Sequence, residues 1–347
     1  MSIKKLLFGH HDQKDVYNYE IELDNVKATF GECGASIIKY LVKDKNGNFK
    51  DVVLGYDNLV GYLNNEPGFG AVVGRVANRI GKAKYIKDNV EYKLQANENE
   101  NTLHSGYGYQ YRIWNSLAYE DEEGAHMIFS IESEDMDQGF PGNFTLDVDY
   151  FISNDSSLTI TYTYSCDKET PVQLTNHCYF NLNGYDSGST VNHKLQIISD
   201  KVTKVDKELI ATGEILDISN SAFDFRNMTV IKDNLIKSFE PYTFDKHFDI
   251  NYVVANDKGK VKKICTLESD ESGIGMNVYT DQPGVQFYCG YYLDVVGKNG
   301  YKHTSFDGLC FETQYFPNSV NHSHFPSPFI KAFEKVTSVT KYEFYIK

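Results

Sequence analysis

The chain has 347 residues, and its 48 Asp and Glu outnumber 34 Lys and Arg, giving a formal net charge of −14 with neutral histidine. That balance repels phosphate backbones and anionic lipid surfaces, which argues against nucleic-acid binding and electrostatic membrane docking. No apolar run reaches the ~18 residues of a membrane span, and 26 Gly and 8 Pro are ordinary values that exclude collagen-like and low-complexity classes.

At the N-terminus the apolar run Leu6–Phe8 is cut off by His10, His11 and Asp12, too short for the core of an export signal. Six cysteines (Cys33, Cys166, Cys178, Cys265, Cys289, Cys310) are scattered without a CxxC pair. The expectation is reduced, mostly buried thiols in a cytoplasmic protein. Residues Tyr85–Leu94 read as a small hairpin turning at Asp88-Asn89, and Ala125–Ile131 as a strand. In Asn143–Ser153 the alternation puts Phe144, Leu146, Val148 and Tyr150 on one face; Asn154-Asp155 turns the chain, and Leu158–Tyr164 continues the pattern. Further strands are predicted at His193–Ser199, at the end of Asp245–Val254, and at Lys262–Leu267, Ile274–Thr280, Val285–Tyr291 and Tyr342–Ile346. Helical periodicity is confined to Ile231–Ser238 and Ile330–Lys335. With 26 Tyr and 22 Phe against the single Trp114, the composition also leans towards sheet. No fixed-period repeat or Pro/Ser-rich linker interrupts the chain, so one all-β domain over residues 1–347 is expected, as a sandwich or barrel.

Four segments break the strand pattern. Gly68–Gly81 holds several glycines, but Val73 stands where GxGxxG needs its third glycine, so a dinucleotide fold is not supported. Within it, Asn78 and Arg79 lie among apolar residues; the arginine suits either a buried ion pair or a ligand contact. The polar loop Asn97–Gly106 ends on His104, a structural or a catalytic histidine. In Thr170–Gly184, His177 sits inside a strand-like run, with Cys178 pointing to the opposite face. An imidazole there is either a hydrogen-bonded core group or one titrating near neutrality. In Gly308–Asn321, Glu312 and Gln314 share a face behind an apolar start; Glu312 is either a solvated edge carboxylate or a base with a tuned pKa. No histidine lies at metal-ligand spacing from His177, and His10-His11 and His322-Ser-His324 lack two further ligands, so no metal is expected.

Taken in order, these segments resemble one family. Asn78-Arg79, Leu103-His104, Leu174-Thr-Asn-His-Cys-Tyr-Phe-Asn-Leu182, Ala222-Phe-Asp-Phe-Arg226, Pro283-Gly-Val-Gln286 and Glu312-Thr-Gln-Tyr-Phe-Pro317 together look like the aldose 1-epimerase (galactose mutarotase) family. The resemblance implies a large antiparallel β-sandwich of the galactose mutarotase type, an isomerase acting on free aldoses, and no cofactor. It implies Glu312 as general base, His177 as general acid and His104 as a second histidine at the sugar. It further implies Arg79, Asp245, Gln286 and Asn78 as sugar contacts, with an alternative register that would put Asp249 in the site instead of Asp245. A small-molecule aldose is then the partner, with no nucleic acid or membrane, and the chain acts as a monomer or homodimer. Ser105, Lys246 and Asn318 depart from the commoner family pattern, which bears on substrate preference. Three rival readings use some of the same residues. A glycoside hydrolase would pair Glu312 with Asp245; a hexose-6-phosphate epimerase would need a cluster of cationic side chains; a silent sugar-binding domain would have no use for the acid–base residues.

Overall fold

A computed structural model describes residues 1–254 and 259–347. Its central feature is a six-stranded sheet built from Tyr179–Phe180 (β1), Lys201–Val205 (β2), Ala211–Asp217 (β3), Asp249–Val253 (β4), Gly284–Tyr288 (β5) and Leu309–Gln314 (β6). The spatial order is β1-β6-β5-β4-β2-β3, and every pairing is antiparallel. A nine-stranded sheet lies against one face of it. That sheet includes the expected hairpin, now Phe144–Ser153 and Ser157–Cys166, together with Gly124–Ser133, Lys262–Glu268, Ile274–Thr280 and Val336–Ile346. A five-stranded meander over residues 2–51 completes the strand-rich body.

Period-two alternation decides which face of each strand enters the core. From the six-stranded sheet, Ile250 and Tyr252, Val285 and Phe287, and Leu309 and Phe311 are fully buried. From the nine-stranded sheet, Ile160, Tyr162, Met276, Val278 and Tyr342 meet them. Phe287 and Phe311 stack at 5.5 Å, Phe180 lies 4.9 Å from Tyr342, and the Tyr342 hydroxyl donates to the Phe311 carbonyl at 3.1 Å. Each such aromatic contributes about 1.5–3 kcal/mol by leaving water, so this inter-sheet layer fixes the register of the strands that carry the site on their other face.

The hairpin at Asp88-Asn89 forms between Lys84–Lys87 and Val90–Lys93; both turn residues have positive φ, 51° and 63°, as a two-residue hairpin turn demands. All six cysteines are free and buried. Two expectations change. The helix at Ile231 is a short one, Ile231–Leu235, whereas Phe329–Ile330 pairs as a strand with Thr170–Pro171 and the chain then turns, so no helix forms over Ile330–Lys335. A second short helix, Leu59–Leu63, starts where Asn58 Oδ1 accepts from the Gly61 amide, a side-chain N-cap. Among the described residues no helix is long and apolar enough to cross a membrane.

Candidate active site

The outer face of the six-stranded sheet, opposite the core, floors a cleft of about 790 Å³. Alternation along β6 that sends Leu309 and Phe311 inward turns Cys310, Glu312 and Gln314 outward. Glu312 pairs across β5 with Gln286, and Gln286 pairs across β4 with Asn251. Tyr179 on β1 pairs with Cys310; two residues earlier in the chain and two later in β6, the same register brings His177 towards Glu312. Their side chains meet at 3.6 Å, Nε2 to Oε1. Gly68 backs the imidazole, and its φ of +75° is a left-handed backbone that favours glycine.

His104 arrives by a second route. Residues Thr102–Leu103 pair with Arg79–Ile80, which sets the histidine beside Asn78. The His104 amide donates to the Asn78 carbonyl at 3.0 Å, and the Asn78 amide donates back to His104 Nδ1 at 3.2 Å. Nδ1 is thereby an acceptor, so in the neutral ring the proton sits on Nε2. The rings of His104 and His177 meet edge to face at 5.4 Å. One ligating atom from each of His104, His177 and Glu312 falls within 4.8 Å of the others. The sequence offered His177 no partner at this spacing; the strand Thr102–Leu103 supplies one. Such a set can serve an ion or move protons. Nδ1 of His104 is already occupied and the Arg79 guanidinium adds a positive charge nearby, which favours proton transfer.

Arg79 forms the buried ion pair open to it from sequence. Its Nε and Nη2 donate to the two carboxylate oxygens of Glu98 at 2.7 and 2.8 Å, while Nη1 faces Asp249 Oδ2 at 3.5 Å. This bidentate grip holds the guanidinium rigid at the cleft wall. Asp249 in turn accepts from Gln286 Nε2 at 2.6 Å. Asp245 lies at the mouth of the cleft, where the Tyr292 hydroxyl reaches it at 3.4 Å. Of the two aspartates it is therefore Asp249, the alternative register, that stands with Arg79. Gln286 does not line the cleft; it lies on the neighbouring strand and donates to Asp249. Asn78 lines the cleft, with its Oδ1 accepting from the Arg79 amide at 2.8 Å.

Burial sets the protonation of the pair. Glu312 is 2% exposed and His177 7%. Desolvation, reinforced by Asp249, raises the Glu312 carboxyl well above its ordinary range against the opposing pull of Arg79. Desolvation lowers His177 to about 4, against weaker upward pulls from its backbone hydrogen bond and Asp249. His104 is also pushed well down by burial, with His177 and Arg79 adding to it. Both shifts on the pair favour a proton on Glu312 beside a neutral His177, and moving that proton to His177 leaves the count unchanged.

Comparison with known proteins fits this geometry. The family model described as Aldose 1-epimerase matches residues 17–343. The bovine (Bos taurus) protein described as galactose mutarotase is 38% identical over 95% of this chain and 94% of its own. The Escherichia coli K12 aldose 1-epimerase is 32% identical over 91% of each. The chain belongs to the aldose 1-epimerase family. It is an isomerase of the mutarotase kind, and a sugar is its substrate class. Among solved structures, an aldose epimerase homologue from C. elegans matches with a TM-score of 0.86 and 28% identity over 94% of this chain and 98% of its own. That match places the β-rich architecture with the galactose mutarotase-like folds. Within this cleft, the partners that sequence reasoning missed are Glu98, which fixes Arg79, and Tyr179, whose ring lies 5.0 Å from that of His177. Glu98 sits in a run of five polar residues, Asn97–Asn101, with nothing in that run to single it out.

Proposed function

We propose that the protein interconverts the α and β anomers of free hexoses such as D-galactose and D-glucose, with Glu312 as base and His177 as acid. The observation that carries this reading is the 3.6 Å approach of a buried carboxylate and a buried imidazole at the floor of a cleft walled by Arg79 and Asp249. Ring opening needs the C1 hydroxyl proton removed and the ring oxygen protonated. Glu312 takes the proton from O1; His177 gives one to O5; the C1–O5 bond breaks as the C1=O1 bond forms. The aldehyde then rotates about C1–C2. On closure O5 attacks the other face, His177 takes the O5 proton back, and Glu312 returns one to O1. Both groups end as they began, with no net consumption of protons.

The tautomer with Glu312 ionised and His177 protonated has the same charge as its counterpart with the proton on Glu312, so forming it needs only a transfer within the pair. His104, with Nε2 carrying the proton, holds O5 or a neighbouring hydroxyl. Arg79 and Asp249 hold further hydroxyls, and Asn78 contributes beside them. The cleft wall carries Glu66, Glu98, Glu208, Asp245, Asp249, Asp294 and Glu312 against Arg79 and Lys207. That balance supports a neutral sugar over a phosphorylated one. The test is polarimetry on freshly dissolved α-D-galactose and α-D-glucose. Accelerated approach to the uncatalysed end point is expected; release of monosaccharide from a disaccharide, with no acceleration on free sugar, would replace the proposal with a hydrolase.

A further inference from the structure

Extending from Glu312 behind the cleft wall is a set of polar side chains that the reaction just described does not otherwise use. Thr203 follows Val202, the residue of β2 that pairs with Tyr252 of β4, and so stands beside Asn251. Asn251 pairs with Gln286, and Gln286 with Glu312. Gln314 follows on the same face of β6. This places five polar side chains in one patch across four adjacent strands of the sheet. All five are buried. Thr203 Oγ1, both amide atoms of Asn251, Gln286 Oε1, both amide atoms of Gln314 and Glu312 Oε2 find no protein partner. Isolated orphans occur in native proteins, but a contiguous set is costly unless something polar fills it.

A glycine admits Asn251 to the patch. Gly284 pairs with Gln314, and a Cβ on Gly284 would fall 2.4 Å from Asn251 Oδ1 and 3.1 Å from Phe316 Cδ1. The missing side chain leaves that space to the Asn251 amide, which a Cβ would displace. Gly284 lies in a strand without positive φ, so its backbone does not call for glycine; the space does. Small, polar-walled sites of this kind hold ordered water, each molecule bonded to two to four protein groups.

We propose that Asn251 and Gln314 are positioning residues that, with Thr203 and Gln286, hold a file of ordered waters behind Glu312 and aim a hydrogen-bond donor at its Oε2. The proposal rests on the acid–base reading of Glu312. The titratable groups around that carboxylate are His177 and His104 across the cleft, Arg79 and Asp249 beside it, Cys310 on its own strand, Tyr179 on β1 and Tyr342 from the opposing sheet. Thr203, Asn251, Gln286 and Gln314 bring no charge. The file therefore acts by donating to the carboxylate form, and its loss makes Glu312 hold its proton more tightly.

The test compares Asn251→Leu and Gln314→Met, which keep volume and remove polarity, with Asn251→Ser, which leaves a hydroxyl and room for water. Rates of anomerisation are followed by polarimetry across pH. In the two apolar variants the plateau in kcat is expected to fall about tenfold and its alkaline limb to rise by about one pH unit, with KM little changed and recovery in Asn251→Ser. Loss of kcat in step with a fall in Tm, without movement of the limb, would overturn the proposal. A crystal structure of the wild-type protein is the second arm and does not depend on variants folding. Ordered waters touching Asn251, Gln314 and Glu312 Oε2 are expected. Amides turned to bond each other directly, with no water between them, would overturn it. If the wild-type protein failed to accelerate anomerisation, the acid–base reading would fall while the crystallographic arm still decided whether the file exists.

Discussion

Replacing Glu312 with glutamine should abolish activity and stabilise the fold, and the two effects have one cause. The carboxylate is 2% exposed and its Oε2 has no protein partner. Its folded-state proton affinity is raised well above the ordinary value by desolvation and by Asp249. In the unfolded chain the group ionises near pH 4.3. Between that value and the raised one, the folded state keeps a proton that the unfolded state has released. The contribution of Glu312 to stability is thus fully present below about pH 4.3 and is lost as pH rises through the folded value. Glutamine preserves shape and removes this loss. The amide stays unpaired there too, so the gain is the difference between burying a charged and a neutral unpaired group, on the order of 1–3 kcal/mol. With an unfolding entropy of about 2.1 cal/mol/K per residue over 347 residues, the gain at pH 8 is about 1–4 °C in Tm. Calorimetry at pH 8 and pH 4 should show a gain at the first that shrinks towards zero at the second. Polarimetry should show a rate on α-D-galactose lowered by about 10²–10⁴. A Glu312→Gln protein within tenfold of wild-type activity, or one destabilised equally at both pH values, would refute the reasoning.

His177 gives the mirror-image linkage. Its folded value of about 4 lies below the ordinary 6.5, so its stabilisation is complete above pH 6.5 and lost as pH falls through 4; urea melts of His177→Asn should lose less stability than wild type across that window. Asp249→Ala should raise KM for galactose by tenfold or more, since a hydrogen bond to a charged group contributes about 1.5–3 kcal/mol, while Asp245→Ala should stay within about threefold; equal effects from the two would reverse the assignment. Prolonged dialysis against a chelator should leave the rate unchanged within error, whereas loss restored by a divalent ion would recast His104, His177 and Glu312 as a metal centre. We further propose that residues 1–347 unfold as one unit, because one apolar cluster runs from Tyr19 to Phe344. A single calorimetric transition is expected, and two resolved transitions would contradict it.

The architecture was legible wherever one strand face is apolar. The hairpin of Phe144–Ser153 and Ser157–Cys166 and the strand Ile274–Thr280 follow from alternation because their inner faces meet a core. Phe329–Ile330 misled because an apolar pair beside Lys331, Glu334 and Lys335 suits a short helix as well as an edge pairing, and only its partner Thr170–Pro171 decides. At the site, Glu312 and His177 stood out as ionisable groups inside apolar runs, and the register that joins them is a property of the folded sheet. The choice between Asp245 and Asp249 was open for a similar reason. The two lie four residues apart, and what separates them is the start of β4 at Asp249, where pairing with β5 brings Gln286 against the carboxylate. The tie between Arg79 and Glu98 joins a two-residue strand to a separate polar loop and left no mark in either.

The most direct test of the central claim is magnetisation exchange between the anomeric protons of D-galactose already at equilibrium, in one NMR sample with protein and one without. Anomerisation through the Glu312–His177 pair predicts exchange cross-peaks between the α and β H1 signals that appear with the wild-type protein and vanish with Glu312→Gln and with His177→Asn. Cross-peaks that persist in both variants would contradict the assignment of the pair, and their absence with the folded wild-type protein would contradict the proposed reaction itself.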